Sequence, residues 1–134
     1  MIEITIYQNE EKEMKQIQVK GHASFAELGA PDHVCAGISA VTQLNLMYLE
    51  QQGQIHSEDI EQAHGLLIVN NLKSVQKEYR HVLRALDYGL REVAKVYPKN
   101  ITITTIRLIK GEAGVHYPVD VSNEKIKESE KNHV

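Results

Sequence analysis

The chain has 134 residues, of which 42% are hydrophobic and 25% charged, the composition of one soluble globular domain with a core of its own. A formal net charge of −3 without a basic cluster argues against direct nucleic-acid binding. A single cysteine excludes an internal disulfide, and neither a signal peptide nor a run of about 18–20 apolar residues is present, so the expected setting is cytoplasmic, with no membrane contact.

Residues 2–7 alternate Ile2, Ile4 and Ile6 with Glu3, Thr5 and Tyr7, which predicts a half-buried strand. The polar stretch 8–15 reads as a hairpin connection. Residues 15–20 alternate again, with Ile17 and Val19 on one face, and predict a second, antiparallel strand. Gly21 breaks the pattern, and a loop of small and polar residues follows to Pro31, which disfavours helical angles at Ala30. Asp32 is placed to cap a helix running from His33 to Gln52, with Gly53 as the stop. That helix is apolar around a wide arc: Val34, Ile38, Val41 and Tyr48, then Ala40, Leu44 and Met47, then Leu46 and Leu49. Such an arc fits either a central core helix of a monomer or a helix shared between a sheet and a partner.

Residues 54–62 form a weak strand candidate and 64–71 a stronger one. Residues 75–97 carry apolar side chains at threes and fours, from Val75 to Tyr97, and predict a second long helix ended by Pro98. Residues 101–109 alternate as a last strand. The order β-β-α-β-β-α-β favours an α+β fold: a two-layer sandwich with a mostly antiparallel sheet and two main helices. This gives one domain over residues 1–109. Residues 110–134, with two glycines, a proline and a charged run, read as a C-terminal extension, extended and partly disordered.

The chemistry concentrates in residues 21–39. A cysteine in the first turn of a helix meets the positive end of the backbone dipole and unused amide donors, and both favour thiolate over thiol. Cys35 occupies such a position. The same amides can hold a tetrahedral oxyanion, and a nearby imidazole can protonate a leaving amine. The bland reading is that a lone helical cysteine is core packing. Two histidines lie close in sequence. His33 is two positions before Cys35 and points to a different helix face. His22 follows the second strand and can fold back over the helix start, so it is preferred as acid and base. Asp32 is a cap first, with a secondary role in orienting His22. Ser39, one turn beyond Cys35, either bonds near the thiol or back-bonds to the Cys35 carbonyl. The other histidines show no i, i+4 pair, and one cysteine with scattered histidines gives no zinc set, so no metal or cofactor is expected.

The string Gly21-His22-Ala23, a glycine-containing loop, then Asp32-x-Val34-Cys35-Ala36-x-x-Ser39 resembles the ribosomal-processing cysteine proteases, the Prp family. The resemblance extends to about residue 106. It implies a small homodimeric cysteine endopeptidase that removes a short N-terminal extension from ribosomal large-subunit protein twenty-seven, as its members do mainly in Firmicutes. The family's catalytic pair falls on His22 and Cys35, and its supporting Asp and Ser on Asp32 and Ser39. Its mobile, substrate-ordering loop falls on Ala23, Ser24, Phe25 and the residues to Gly29, bracketed by Gly21 and Gly29. The extension beyond about Arg107 is not a feature of the family, and a diverged or phage-type protease with another protein substrate would share the same string. Two further alternatives remain: a non-catalytic dimeric interaction module with a buried cysteine, and a thiol redox sensor that would need a partner thiol.

Overall fold

The structure, a computed structural model, describes residues 1–21 and 33–124. Strand β1 (Ile2–Gln8) buries Ile2, Ile4 and Ile6, and β2 (Met14–Lys20) buries Met14, Ile17 and Val19 on the same face. Their antiparallel register pairs Ile4 with Val19 and Ile6 with Ile17, with a bulge where Gln8 meets Met14. Helix α1 (His33–Gln51) follows, then β3 (Ile60–Ala63), β4 (Leu66–Val69), helix α2 (Arg80–Val96), β5 (Ile101–Lys110) and β6 (His116–Asp120). All six strands form one sheet in the order β3-β4-β2-β1-β5-β6. Four of its ladders are antiparallel, and β5 runs parallel to β1, Ile2 opposite Ile101 and Ile4 opposite Ile103. A parallel neighbour needs a long crossover, and the chain between β1 and β5 supplies it. The fold is the expected α+β sandwich, with α1 against β2 to β4 and α2 against β1 and β5. Its core joins Ile2, Ile4, Ile6, Ile17, Ile38, Leu49, Leu86 and Leu90. No helix among the described residues is long and apolar enough to cross a membrane.

Three boundaries differ from the sequence reading. The helix expected over residues 75–97 starts at Arg80, because Val75 is extended (φ −61°, ψ 128°) and a single 3₁₀ turn, Lys77–Tyr79, intervenes. Val75 is buried from that extended segment, so its place in the apolar pattern reflects tertiary packing. The strand expected over 54–62 is confined to Ile60–Ala63. Before it, Ser57–Asp59 make a 3₁₀ turn in which the Asp59 carboxylate accepts from the His56 amide at 3.0 Å, a local bond that competes with a ladder. The third difference lies at the C-terminus. The sheet crosses residues 109 and 110, and β6 pairs with β5, Leu108 opposite Pro118. β6 is exposed along its whole length and contains a proline, which an edge strand tolerates. The disorder expected further on concerns residues 125–134, outside the described residues.

The chain after β6 folds back over β5. Val121 N donates to Thr105 O at 2.9 Å, and Ser122 Oγ accepts from Thr105 N at 2.9 Å. Glu124 accepts two bonds from Arg107 (2.8 and 3.2 Å) and lies 3.4 Å from Lys12 Nζ. The Arg107 hydrogen bonds, aided by the charges of Arg107 and Lys12, hold the Glu124 carboxyl below its ordinary 4.5. A depressed folded-state pKa means that this anchor contributes above the ordinary carboxylate range and is lost as pH falls through the folded value. Amide exchange of residues 121–124, corrected for its intrinsic pH dependence, is expected to speed up on acidification below 4.5, and Glu124→Gln should reduce that response to the part carried by Asp120, whose carboxyl the Ser122 hydroxyl and amide hold below its ordinary 3.8.

Candidate active site

Gly21 ends β2 at the end of the sheet where β1 begins. Its φ is +96°, and a Cβ built there would stand 2.4 Å from the carbonyl oxygen of Met1. Both the conformation and the contact require glycine. Its amide donates to Gly65 O at 2.8 Å, which ties the end of β2 to the β3–β4 turn. The chain leading into His22 is thus fixed on two sides. Gly21→Ala is expected to destabilise the fold by about 2–4 kcal/mol through backbone strain and overpacking, read by denaturant unfolding. A loss below about 0.5 kcal/mol would contradict the geometry.

Cys35 is the third residue of α1, in its first turn, and is half-buried against the edge of the hydrophobic core. No acidic residue occupies that first turn, so no carboxylate within the helix opposes the positive end of its dipole. Ser39 stands one turn further along, half-buried, beside a small cavity of about 50 Å³ that it lines with Val19, Ile38, Thr42, Gln62 and Leu67. Beyond it a second concavity of about 230 Å³ continues along α1 between Leu46, Met47, Ile60 and Leu67. The two concavities share Gln43, Gln62 and Leu67 and lie side by side between α1 and β3–β4; Cys35 lines neither.

The structure places Gly21, Cys35 and Ser39 as the sequence orders them, at the end of β2 and the start of α1. His22, Ala23, Ser24, Phe25, Gly29 and Asp32 lie outside the described residues, as does the side chain of His33, whose backbone opens α1. Two residues were passed over in the sequence reading. Thr42 is buried, and its hydroxyl oxygen has no hydrogen-bond partner among the described residues. Its spacing of three from Ser39 and seven from Cys35 was the available signal. His64 is exposed on the β3–β4 turn, next to the Gly65 whose carbonyl receives Gly21 N. That proximity is tertiary and leaves no trace in sequence spacing. Among the described residues no cluster of three or more His, Cys, Asp or Glu is arranged to hold a metal ion.

The described residues thus form a six-stranded α+β sheet under two helices, with Cys35 in the first turn of the helix that follows β2. The model of the cysteine protease Prp family matches residues 1–102. The chain belongs to that family and is a cysteine protease, a peptide-bond hydrolase. Among solved structures, the chain is similar to the essential ribosomal processing protease Prp from S. aureus in complex with a covalently linked product peptide. The identity is 23% and the TM-score 0.64, over 78% of this chain and 99% of that one. The same S. aureus protease in complex with a substrate peptide gives 23% identity and a TM-score of 0.66 over the same shares. A Streptococcus mutans protein gives 17% identity and a TM-score of 0.60, over 80% of this chain and 95% of that one. At these identities the likeness establishes a shared fold. No curated protein sequence matches the chain significantly.

Proposed function

We propose that the chain is a cytoplasmic, homodimeric endopeptidase that removes a short N-terminal extension from ribosomal large-subunit protein twenty-seven, with Cys35 as nucleophile and His22 as general acid and base. The observation that carries this reading is Cys35 in the opening turn of α1, inside the segment matched by the family model. The Cys35 thiolate adds to the scissile carbonyl, and the first-turn amides of α1 hold the resulting oxyanion. His22, as imidazolium, protonates the leaving amine while the C–N bond breaks, which leaves a thioester on Cys35. His22 then takes a proton from water, whose oxygen attacks the thioester; the C–S bond breaks, the acid product departs, and the Cys35 thiolate and His22 imidazolium are restored. Asp32 caps α1 and helps orient His22, and Ser39 bonds near the sulfur. The loop through Ala23, Ser24, Phe25 and Gly29 gates the site, swung from Gly21. The concavity along α1 lined by Leu46, Ile60 and Leu67 suits apolar side chains of an extended peptide. The scheme uses side chains and water, with no cofactor.

The test is incubation with the ribosomal precursor from the same source, followed by intact mass measurement. A loss of mass equal to the N-terminal extension is expected, and an unchanged precursor would overturn the substrate assignment. The sixth strand and the return to residue 124 lie beyond the matched residues and favour a second reading, a diverged or phage-type protease with another protein substrate. The same incubation separates the two.

The dimer rests on α1. Leu44 is 66% exposed and Met47 61%, with Tyr48 beside them at 44%. Three large apolar side chains on one helix are a surface that a second copy would cover. Sedimentation should give a dimer, and Leu44→Glu with Met47→Glu should give a folded monomer. A monomeric wild-type chain at about 100 µM would contradict the assignment.

A further inference from the structure

The fold builds a further concavity, away from Cys35. Between α2, β5 and residues 121–124 lies a cavity of about 520 Å³, a volume typical of small-ligand sites, which run from about 300 to 1,000 Å³. Ala94, Ile103 and Val121 give it an apolar lining, and Lys12, Arg91, Lys95 and Arg107 surround it with positive charge. Among the described residues, two carboxylates, Asp87 and Glu124, share the lining. Each is already engaged, Asp87 by Arg91 and Glu124 by Arg107 and Lys12. Glu92, the partner of Lys95, is not part of it. With Glu92 3.0 Å from Lys95 Nζ, the four cations face three carboxylates, and Lys12 and Arg107 share Glu124, which leaves an excess of one positive charge. Thr105, another lining residue, has a buried hydroxyl oxygen with no hydrogen-bond partner among the described residues.

The cavity is separate from the Cys35 region. Its strand residues run along β5 from Ile103, opposite Ile4, to Arg107, opposite Gln8, whereas the concavities beside Ser39 lie between α1 and β2 to β4 and share no lining residue with it. One of its walls, residues 121–124, lies beyond the part of the chain that matches the protease family. It is thus a feature added by the C-terminal extension.

We propose that this cavity binds a small organic anion, a carboxylate or phosphate ester on a compact apolar body. Lys12, Arg91 and Lys95 hold the charge, while Ala94, Ile103 and Val121 take the body. Arg107 is fixed by Gln8 and Glu124 and serves as a wall. Because residues 121–124 and α2 both line the site, occupancy ties the extension to the domain.

The test is a two-dimensional amide NMR titration of the full chain with benzoate and with phenyl phosphate, alongside benzyl alcohol and inorganic phosphate. At least one organic anion should give saturable shifts centred on Thr105, Arg107, Val121 and Ser122, and the two anions show which head group is preferred. The neutral alcohol and bare phosphate should bind at least about tenfold more weakly. Lys95→Gln, and the double variant with Arg91→Gln, should lose affinity by about tenfold while keeping the wild-type spectrum elsewhere. The proposal is overturned if neither anion saturates by about 20 mM, if inorganic phosphate binds as well as either of them, or if the folded variants bind unchanged.

Discussion

Cys35→Ala is expected to lower peptide-bond hydrolysis at least about 10⁴-fold, because loss of a nucleophile removes the covalent route and leaves only binding and oxyanion stabilisation. The fold should survive. Cys35 is half-buried at the margin of the core, and removing its sulfur should cost about 1 kcal/mol or less. The check pairs a cleavage assay with a thermal melt of the same preparation. A folded, inactive variant is the expected outcome. Proteolysis undiminished in that variant would remove Cys35 from the mechanism and restore the reading of a packed core thiol.

His22→Ala should reduce turnover by about 10²–10⁴-fold, the range that a positioned acid and base contributes. In the proposed scheme the imidazole both protonates the amine and activates water, so the variant should also lose the limb of the pH–rate profile that belongs to it. His64 is the control. It neighbours Gly65, which bonds to the end of β2, and is the histidine that the described fold brings close to Gly21. His64→Ala should stay within a few-fold of wild type. If it falls as far as His22→Ala was expected to, and His22→Ala does not, the acid–base role passes to His64.

How much of this was legible in sequence depended on whether the signal was local. The alternation in β1, β2 and β5 placed those strands to within a residue, and the predicted first helix matched α1 closely, because their core residues recur at the period of their own backbone. The start of α2 was misplaced because Val75 is buried by tertiary packing from an extended segment. β6 was invisible for the converse reason. Its five residues face solvent, so no apolar pattern marks it, and its pairing with β5 is what makes it a strand. The strand order and the parallel β1–β5 ladder are non-local and have no period to read. Within the site, Cys35 at a helix start and Gly21 at a strand end could be read from residue types, although the contact of Gly21 with Met1 could not. The pairing of Cys35 with His22 came from physical preference supported by resemblance, and His22 lies outside the described residues.

The central claim is that Cys35 is an activated nucleophile, and its alkylation tests this most directly. Wild-type protein and the His22→Ala variant are treated with iodoacetamide across a pH series, with modification of Cys35 followed by intact mass and cleavage of the ribosomal precursor measured on the same samples. The account predicts a midpoint well below the ordinary thiol value of about 8.5, a higher midpoint in the variant, and activity lost in proportion to the label. A midpoint at or above about 8.5, or full activity in fully alkylated protein, would contradict it.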